Sequence, residues 1–248
     1  MTAFLTSTFG GRRIDKILGR RVPDYLETRN GLLDKIRERH PAPPKVLLIA
    51  SSPEAYAAND VKAENYTGAF AMSGYPVASL DMCDGRNEEL TERLNDYDIV
   101  ILSGGHVPTQ NAFFARVGLA EKITSFDGIL IGISAGTMNS ASVAYIAPEE
   151  DGEAADPDFV RFLPGLALTK INVIPHYQKI RGTYLDGRLL FEEVFYPDTF
   201  GHVFHVLCDG SYLLIENGVT TLYGEAYEYR DGKMTQLTAE GESMVLEK

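Results

Sequence analysis

The stretch Gly128-Ile129-Leu130-Ile131-Gly132-Ile133-Ser134-Ala135-Gly136-Thr137-Met138 is an apolar run that ends abruptly in a serine flanked by small residues. It predicts strand, sharp turn and helix. A β-branched run bounded by glycines suits a buried parallel strand, and residues 135–145 supply small and apolar side chains at helical spacing. Ser134 falls at the turn itself. Gly132 and Gly136 complete G-x-S-x-G, in which the positions two before and two after the serine must lack bulk for strand and helix to approach. The serine oxygen would then stand at the carboxyl edge of a sheet, where the helix start and the Ala135 amide can meet a developing oxyanion. The competing reading is an ordinary strand-to-helix turn whose serine caps the helix.

With 248 residues and 44% apolar content, the chain can bury a substantial core, and its length suits a single α/β domain. Its formal net charge of −12 would repel phosphate backbones and anionic lipid, and no run of Lys and Arg forms a basic patch. Neither nucleic acid nor a membrane is an expected partner. Cys83 and Cys208 stand alone, without metal-ligand or redox spacing. No apolar segment has signal-peptide or membrane-spanning length, so a cytoplasmic protein is expected.

Outward from the elbow, the chain alternates in type. Residues 1–8 give a short apolar start, and residues 24–40 have mixed helical character until Pro41-Ala42-Pro43-Pro44 stops them. A strand over 46–50 leads through Ser51-Ser52-Pro53 into a long helix toward Ser73-Gly74. Strands over 76–80 and 98–102 flank a short charged helix over 88–94. This alternation predicts a three-layer, doubly wound, mostly parallel sheet. After the strand over 98–102 comes Ser103-Gly104-Gly105-His106, a glycine pair ahead of a helix starting near Pro108. It exposes backbone amides one βα unit before Ser134, a natural source of a second oxyanion donor.

Downstream, Pro148-Glu149-Glu150-Asp151-Gly152-Glu153 is an acidic, turn-rich segment. A strand over 170–174 then runs into Pro175-His176-Tyr177, so that serine, acid and histidine occur in that order. A helix is expected within 180–196 and a mostly polar connection over 197–210, with no role for His202 or His205. Asn217-Gly218 and Asp231-Gly232 between β-rich runs signal hairpins, which add a carboxyl-terminal antiparallel extension.

These motifs resemble the S51 serine peptidases, which include peptidase E and cyanophycinase on a fold similar to class I glutamine amidotransferases. The resemblance rests on Gly104-Gly105, on Gly132-Ile133-Ser134-Ala135-Gly136, on Gly165-Leu166 leading to Pro175-His176-Tyr177, and on Asp209-Gly210-Ser211 to Gly224. It implies that Ser134 is the nucleophile and His176 the base, with the Gly105 and Ala135 amides as oxyanion hole. The acid falls on Glu149, with Asp151 and Glu153 as alternatives. Gly104 and His106 are expected at the substrate, although His106-Val107 stand where members often carry Asn-Thr.

The resemblance further implies a serine-type dipeptidase for small peptides with an N-terminal aspartate. Arg181 and Arg188 are the candidate cations for that carboxylate. A Ser-His-acid mechanism calls for no metal or organic cofactor. An α/β-hydrolase esterase fits less well, because its histidine normally lies near the carboxyl terminus, and a glutaminase would need a cysteine at the elbow. A cyanophycinase-like or other amide hydrolase, or an inactive ligand-binding member of the fold, is the alternative. The oligomeric state is left open, a homodimer included.

Overall fold

The computed structural model describes residues 1–247. Its main sheet has eight strands in the spatial order Ser243–Glu247, Val219–Tyr223, Tyr212–Glu216, Thr2–Thr6, Ile129–Ile133, Ile99–Leu102, Lys45–Ile49 and Ser79–Cys83. The five strands from Thr2–Thr6 to Ser79–Cys83 are parallel, and the other three extend the sheet antiparallel. The expected doubly wound architecture with an antiparallel extension is therefore present.

Strand pleating explains how the sheet is covered on both faces. In Lys45–Ile49, Leu47 and Ile49 face one core layer, while Val46 and Leu48 face the other. The second layer is closed by helices Leu32–Arg39 and Tyr56–Met72, which contribute Leu32, Ile36, Tyr66 and Phe70. The first is closed by helix Val107–Arg116 through Phe113 and Phe114, and by Val173, Leu207 and Ala226 of a second sheet. Fully burying each such large apolar side chain contributes about 1.5–3 kcal/mol.

Several elements differ from the expectation, each for a physical reason. The short start is Thr2–Thr6 at the centre of the main sheet, stabilised by partners on both edges that are remote in sequence. The strand expected over 76–80 lies at Ser79–Cys83, because Ala78 N donates to Pro44 O and starts the pairing there. The elbow helix spans only Ala135–Met138, and Val143–Tyr145 pairs instead with Phe162–Pro164. Residues 180–196 hold a two-residue-per-strand hairpin and a helical turn, Leu190–Phe195.

The segment 197–210, expected as a polar connection, contains the strand Val203–Leu207. That strand lies in a four-stranded sheet ordered Asn172–Ile174, Val203–Leu207, Ala226–Arg230 and Lys233–Thr238. His176 thus follows a strand of this second sheet rather than of the main one. A further hairpin, Gly10–Asp15 with Arg20–Leu26, packs on helix Tyr56–Met72.

Candidate active site

The elbow is built by close approach. A Cβ on Gly132 would lie 3.1 Å from Leu5 Cδ2 and from Thr137 Cα, and one on Gly136 would overlap the Leu102 carbonyl oxygen. Only glycine lets the turn sit this tightly against its neighbouring strands. Ser134 is held there at φ 49° and ψ −107°, a conformation rarely adopted by residues other than glycine. Ser134 N donates to Thr6 O at 3.0 Å, and Thr137 Oγ1 donates to the same oxygen at 2.8 Å. The serine side chain makes no capping hydrogen bond to the helix that follows, which removes the capping reading.

Ser134 and His176 together line two cavities that meet at the elbow. One, of about 290 Å³, is walled by Met138, Ile174, Ile180, Leu185, Leu190 and Phe195. The other, of about 710 Å³, is polar and includes Gly104, Gly105, Ser51, Lys62, Arg12 and Arg21.

His176 occupies the left-handed region at φ 62°, its amide donating to Ser7 Oγ at 2.9 Å. Its Nδ1 lies 2.6 Å from Asp209 Oδ1. A carboxylate only accepts, so Nδ1 carries the proton and Nε2 presents its lone pair. Asp209 also accepts from Ser7 Oγ at 2.9 Å and pairs with Lys179 Nζ at 2.6 Å. Burial alone would raise the Asp209 carboxyl, but hydrogen bonds from His176 and Lys179, His176's charge and the Ser7 hydroxyl hold it well below the usual carboxylate range.

The acid beside His176 is therefore not in the segment 149–153. Glu153 Oε1 meets His106 Nε2 at 2.8 Å, while Oε2 accepts from the amides of Glu149 and Glu150. Glu153 thus closes its own loop. Glu149 lines the apolar cavity, and although its residue keeps an exposed edge, burial of the carboxyl and then Glu153 and Glu150 raise its pKa. That direction disfavours the charge an imidazolium needs. Asp151 is exposed.

Of the other expected residues, Gly104 packs against Ser134, since a Cβ there would lie 3.4 Å from Ser134 Cβ. The Gly104 carbonyl accepts from Ser51 Oγ at 3.0 Å and Lys62 Nζ at 3.4 Å. Because the peptide is planar, anchoring that oxygen turns the Gly105 N–H the opposite way. Ala135 opens its helix, so its amide has no intrahelical acceptor. His106 is occupied by Glu153 and Thr109 and lines neither cavity. Arg188 donates to the Ala154 carbonyl, and Arg181 lines a separate cavity with Arg29 and Asp209. Neither arginine lines the cavities at Ser134; from the same stretch it is Ile180, Thr183 and Leu185 that line the apolar one.

A model of peptidase family S51 matches residues 24–220, most of the chain and every one of these site segments from Ser51 to Asp209. The chain belongs to peptidase family S51. Two solved structures share the fold of this S51 member: a peptidase from an acI-B1 Actinobacterium, at TM-score 0.64 and 17% identity over 99% of this chain and 96% of that one; and a candidate peptidase E from Listeria monocytogenes EGD-e, at TM-score 0.56 and 16% identity over 96% of this chain and 98% of that one. No curated protein sequence matches it.

Lys62 gives this S51 site a pH signature. Burial, then Arg12 and Arg21, hold its ammonium pKa down to about 8, from 10.5 in an open chain. Between those values the unfolded chain binds the proton and the folded chain does not, so stability rises as pH goes from about 8 to 10.5. Urea midpoints measured at pH 7 and pH 10 should therefore increase with pH more in wild type than in Lys62→Met. Identical pH responses in the two proteins would contradict the assignment.

Proposed function

We propose that this S51 member is a serine peptidase in which Ser134 is the nucleophile, His176 the general base and acid, and Asp209 the orienting carboxylate. The observation that carries the reading is a strained, uncapped Ser134 sharing two cavities with an imidazole whose Nδ1 is bound to a buried carboxylate. His176 Nε2 takes the Ser134 proton as Oγ attacks the peptide carbonyl. The oxyanion is met by the Gly105 and Ala135 amides. Nε2 then returns the proton to the leaving amine as the C–N bond breaks, and water, deprotonated by the same nitrogen, hydrolyses the ester. Unliganded sites commonly have slack between serine and histidine that closes on substrate.

The substrate is a small peptide with an N-terminal aspartate. The cationic lining of the larger cavity in an otherwise acidic chain supports an anionic substrate group, and the apolar cavity supports a bulky neighbour. A panel of Asp-Leu, Glu-Leu, β-Asp-Arg and Ala-Leu tests this. Asp-Leu is expected to be cleaved with kcat/KM at least about 100-fold above Ala-Leu, since an unfilled charged site discriminates strongly. Preference for β-Asp-Arg would favour a cyanophycinase-like enzyme. Equal rates across the panel would discard the aspartyl assignment.

A further inference from the structure

The larger cavity at Ser134 has an ionic character that hydrolysis alone does not require. In the amino-terminal hairpin, Arg12 lies opposite Pro23 and Ile14 opposite Arg21. Residues two apart on a strand share a face, and so do directly opposed residues, which makes Arg12 and Arg21 diagonal neighbours on one face. Two glycines let the hairpin close on helix Tyr56–Met72: a Cβ on Gly11 would come within 2.6 Å of the Tyr66 ring, and one on Gly68 within 2.8 Å of Pro23. So docked, both arginines line the cavity that holds Ser134, His176 and Gly105.

Of the Arg and Lys side chains that line this cavity, only Lys179 meets a carboxylate among the described residues, that of Asp209. Arg29, Arg39, Arg86 and Arg116 each pair with a carboxylate, whereas Arg12 and Arg21 have no such partner among the described residues. Lys62, buried below them, is held by the Ser51 and Ser103 hydroxyls and the Gly104 carbonyl, none of them anionic. Burial pushes the Arg12 guanidinium pKa down, with Tyr66 opposing and Arg21 adding to the shift. In a chain with 35 acidic residues against 23 basic ones, Arg12 and Arg21 beside Ser134 stand without a carboxylate partner among the described residues.

We propose that Arg12 and Arg21 form a receptor for a substrate carboxylate and are the specificity-determining residues of the site, in place of Arg181 or Arg188. The inference deepens the peptidase reading and rests on Ser134 being where the peptide is cut. A guanidinium pair recognises a carboxylate by geometry as well as charge, and the anion relieves the repulsion between the two arginines. The carboxylate is either the aspartate side chain or the free α-carboxyl of the leaving residue, and the two sources separate by experiment.

Binding is measured by calorimetry on Ser134→Ala, which leaves the peptide intact, using Asp-Leu, Asn-Leu and carboxyl-amidated Asp-Leu. Adding Arg12→Ala or Arg21→Ala is expected to weaken Asp-Leu about 100-fold. Arg12→Lys should recover part of the loss, as a charge without the fork. If the side chain is read, Asn-Leu binds Ser134→Ala as weakly as Asp-Leu binds the arginine variants; if the α-carboxyl is read, the amide does. Either result supports the receptor. Undiminished Asp-Leu binding in both arginine variants overturns it, as does absence of Asp-Leu binding to Ser134→Ala at millimolar concentration. Should Arg12→Ala fail to fold, Arg12→Gln and the separate Arg21→Ala decide the same question. Failure of the peptidase reading looks different: wild type would leave Asp-Leu uncut while its binding still depended on the arginines.

Discussion

Ser134→Ala is expected to lower turnover of the preferred dipeptide by about 10⁴-fold or more, because removing the nucleophile leaves only the binding groups and the oxyanion donors. The companion variant Ser134→Gly should be equally inactive yet more stable than wild type. Ser134 holds φ 49° and ψ −107° between two enforced close approaches. Such strain costs on the order of 1–3 kcal/mol, and glycine adopts positive φ without it. In a chain of this size each kcal/mol corresponds to roughly 2–4 °C, so thermal unfolding of Ser134→Gly should rise by a few degrees. A serine kept only for a turn would be neutral to alanine in activity, and normal turnover in Ser134→Ala would end the nucleophile assignment.

What was legible in the sequence was what local pattern determines. The run from Gly128 to Met138 states strand, turn and small flanking residues within one window, and the structure turns as that window requires. The aliphatic strands around Leu48 and Ile101, buried on both faces, could be placed by composition alone. Thr2–Thr6 could not, because it is a strand only by virtue of partners in the elbow strand and Tyr212–Glu216, both far along the chain. Val203–Leu207 was hidden by His205 in its middle, which breaks the apolar run.

Asp209, the orienting carboxylate proposed above, is hidden in the sequence for a topological reason. Chain order points to the segment between Ser134 and His176, whereas Asp209 lies in the turn just after the strand Val203–Leu207, beyond the histidine. The signal is present in Asp209-Gly210-Ser211, an acid and a turn just beyond Val203–Leu207, but its relation to His176 depends on a parallel pairing across two separate segments. Arg12 and Arg21 pose the same difficulty: the sequence shows the residues, and only the hairpin register and the glycine contacts with helix Tyr56–Met72 put them on one face beside Ser134.

That parallel pairing makes the strongest case for Asp209→Asn. Ile174 stands opposite Val206, so His176, two residues on, comes level with Cys208 and beside Asp209. The contact between imidazole and carboxylate is thus set by two paired strands of one sheet, each residue standing just beyond its strand's end. Asparagine preserves size and the Ser7 contact but supplies no charge for the imidazolium, and its amide can donate to Nδ1 and so favour the wrong tautomer. Turnover should fall by about 10³- to 10⁴-fold with KM changed far less, because an orienting carboxylate acts chiefly in the transition state. Glu149→Gln and Glu153→Gln should lose much less, since neither carboxylate bonds to His176. The acid also bears on stability. Its carboxyl is held below its open-chain value, so its contribution is present at neutral pH and is lost as pH falls below the usual carboxylate range, a dependence that Asp209→Asn should flatten. Wild-type turnover in Asp209→Asn, or a loss of comparable size in Glu149→Gln, would return the orienting role to the acidic segment before His176.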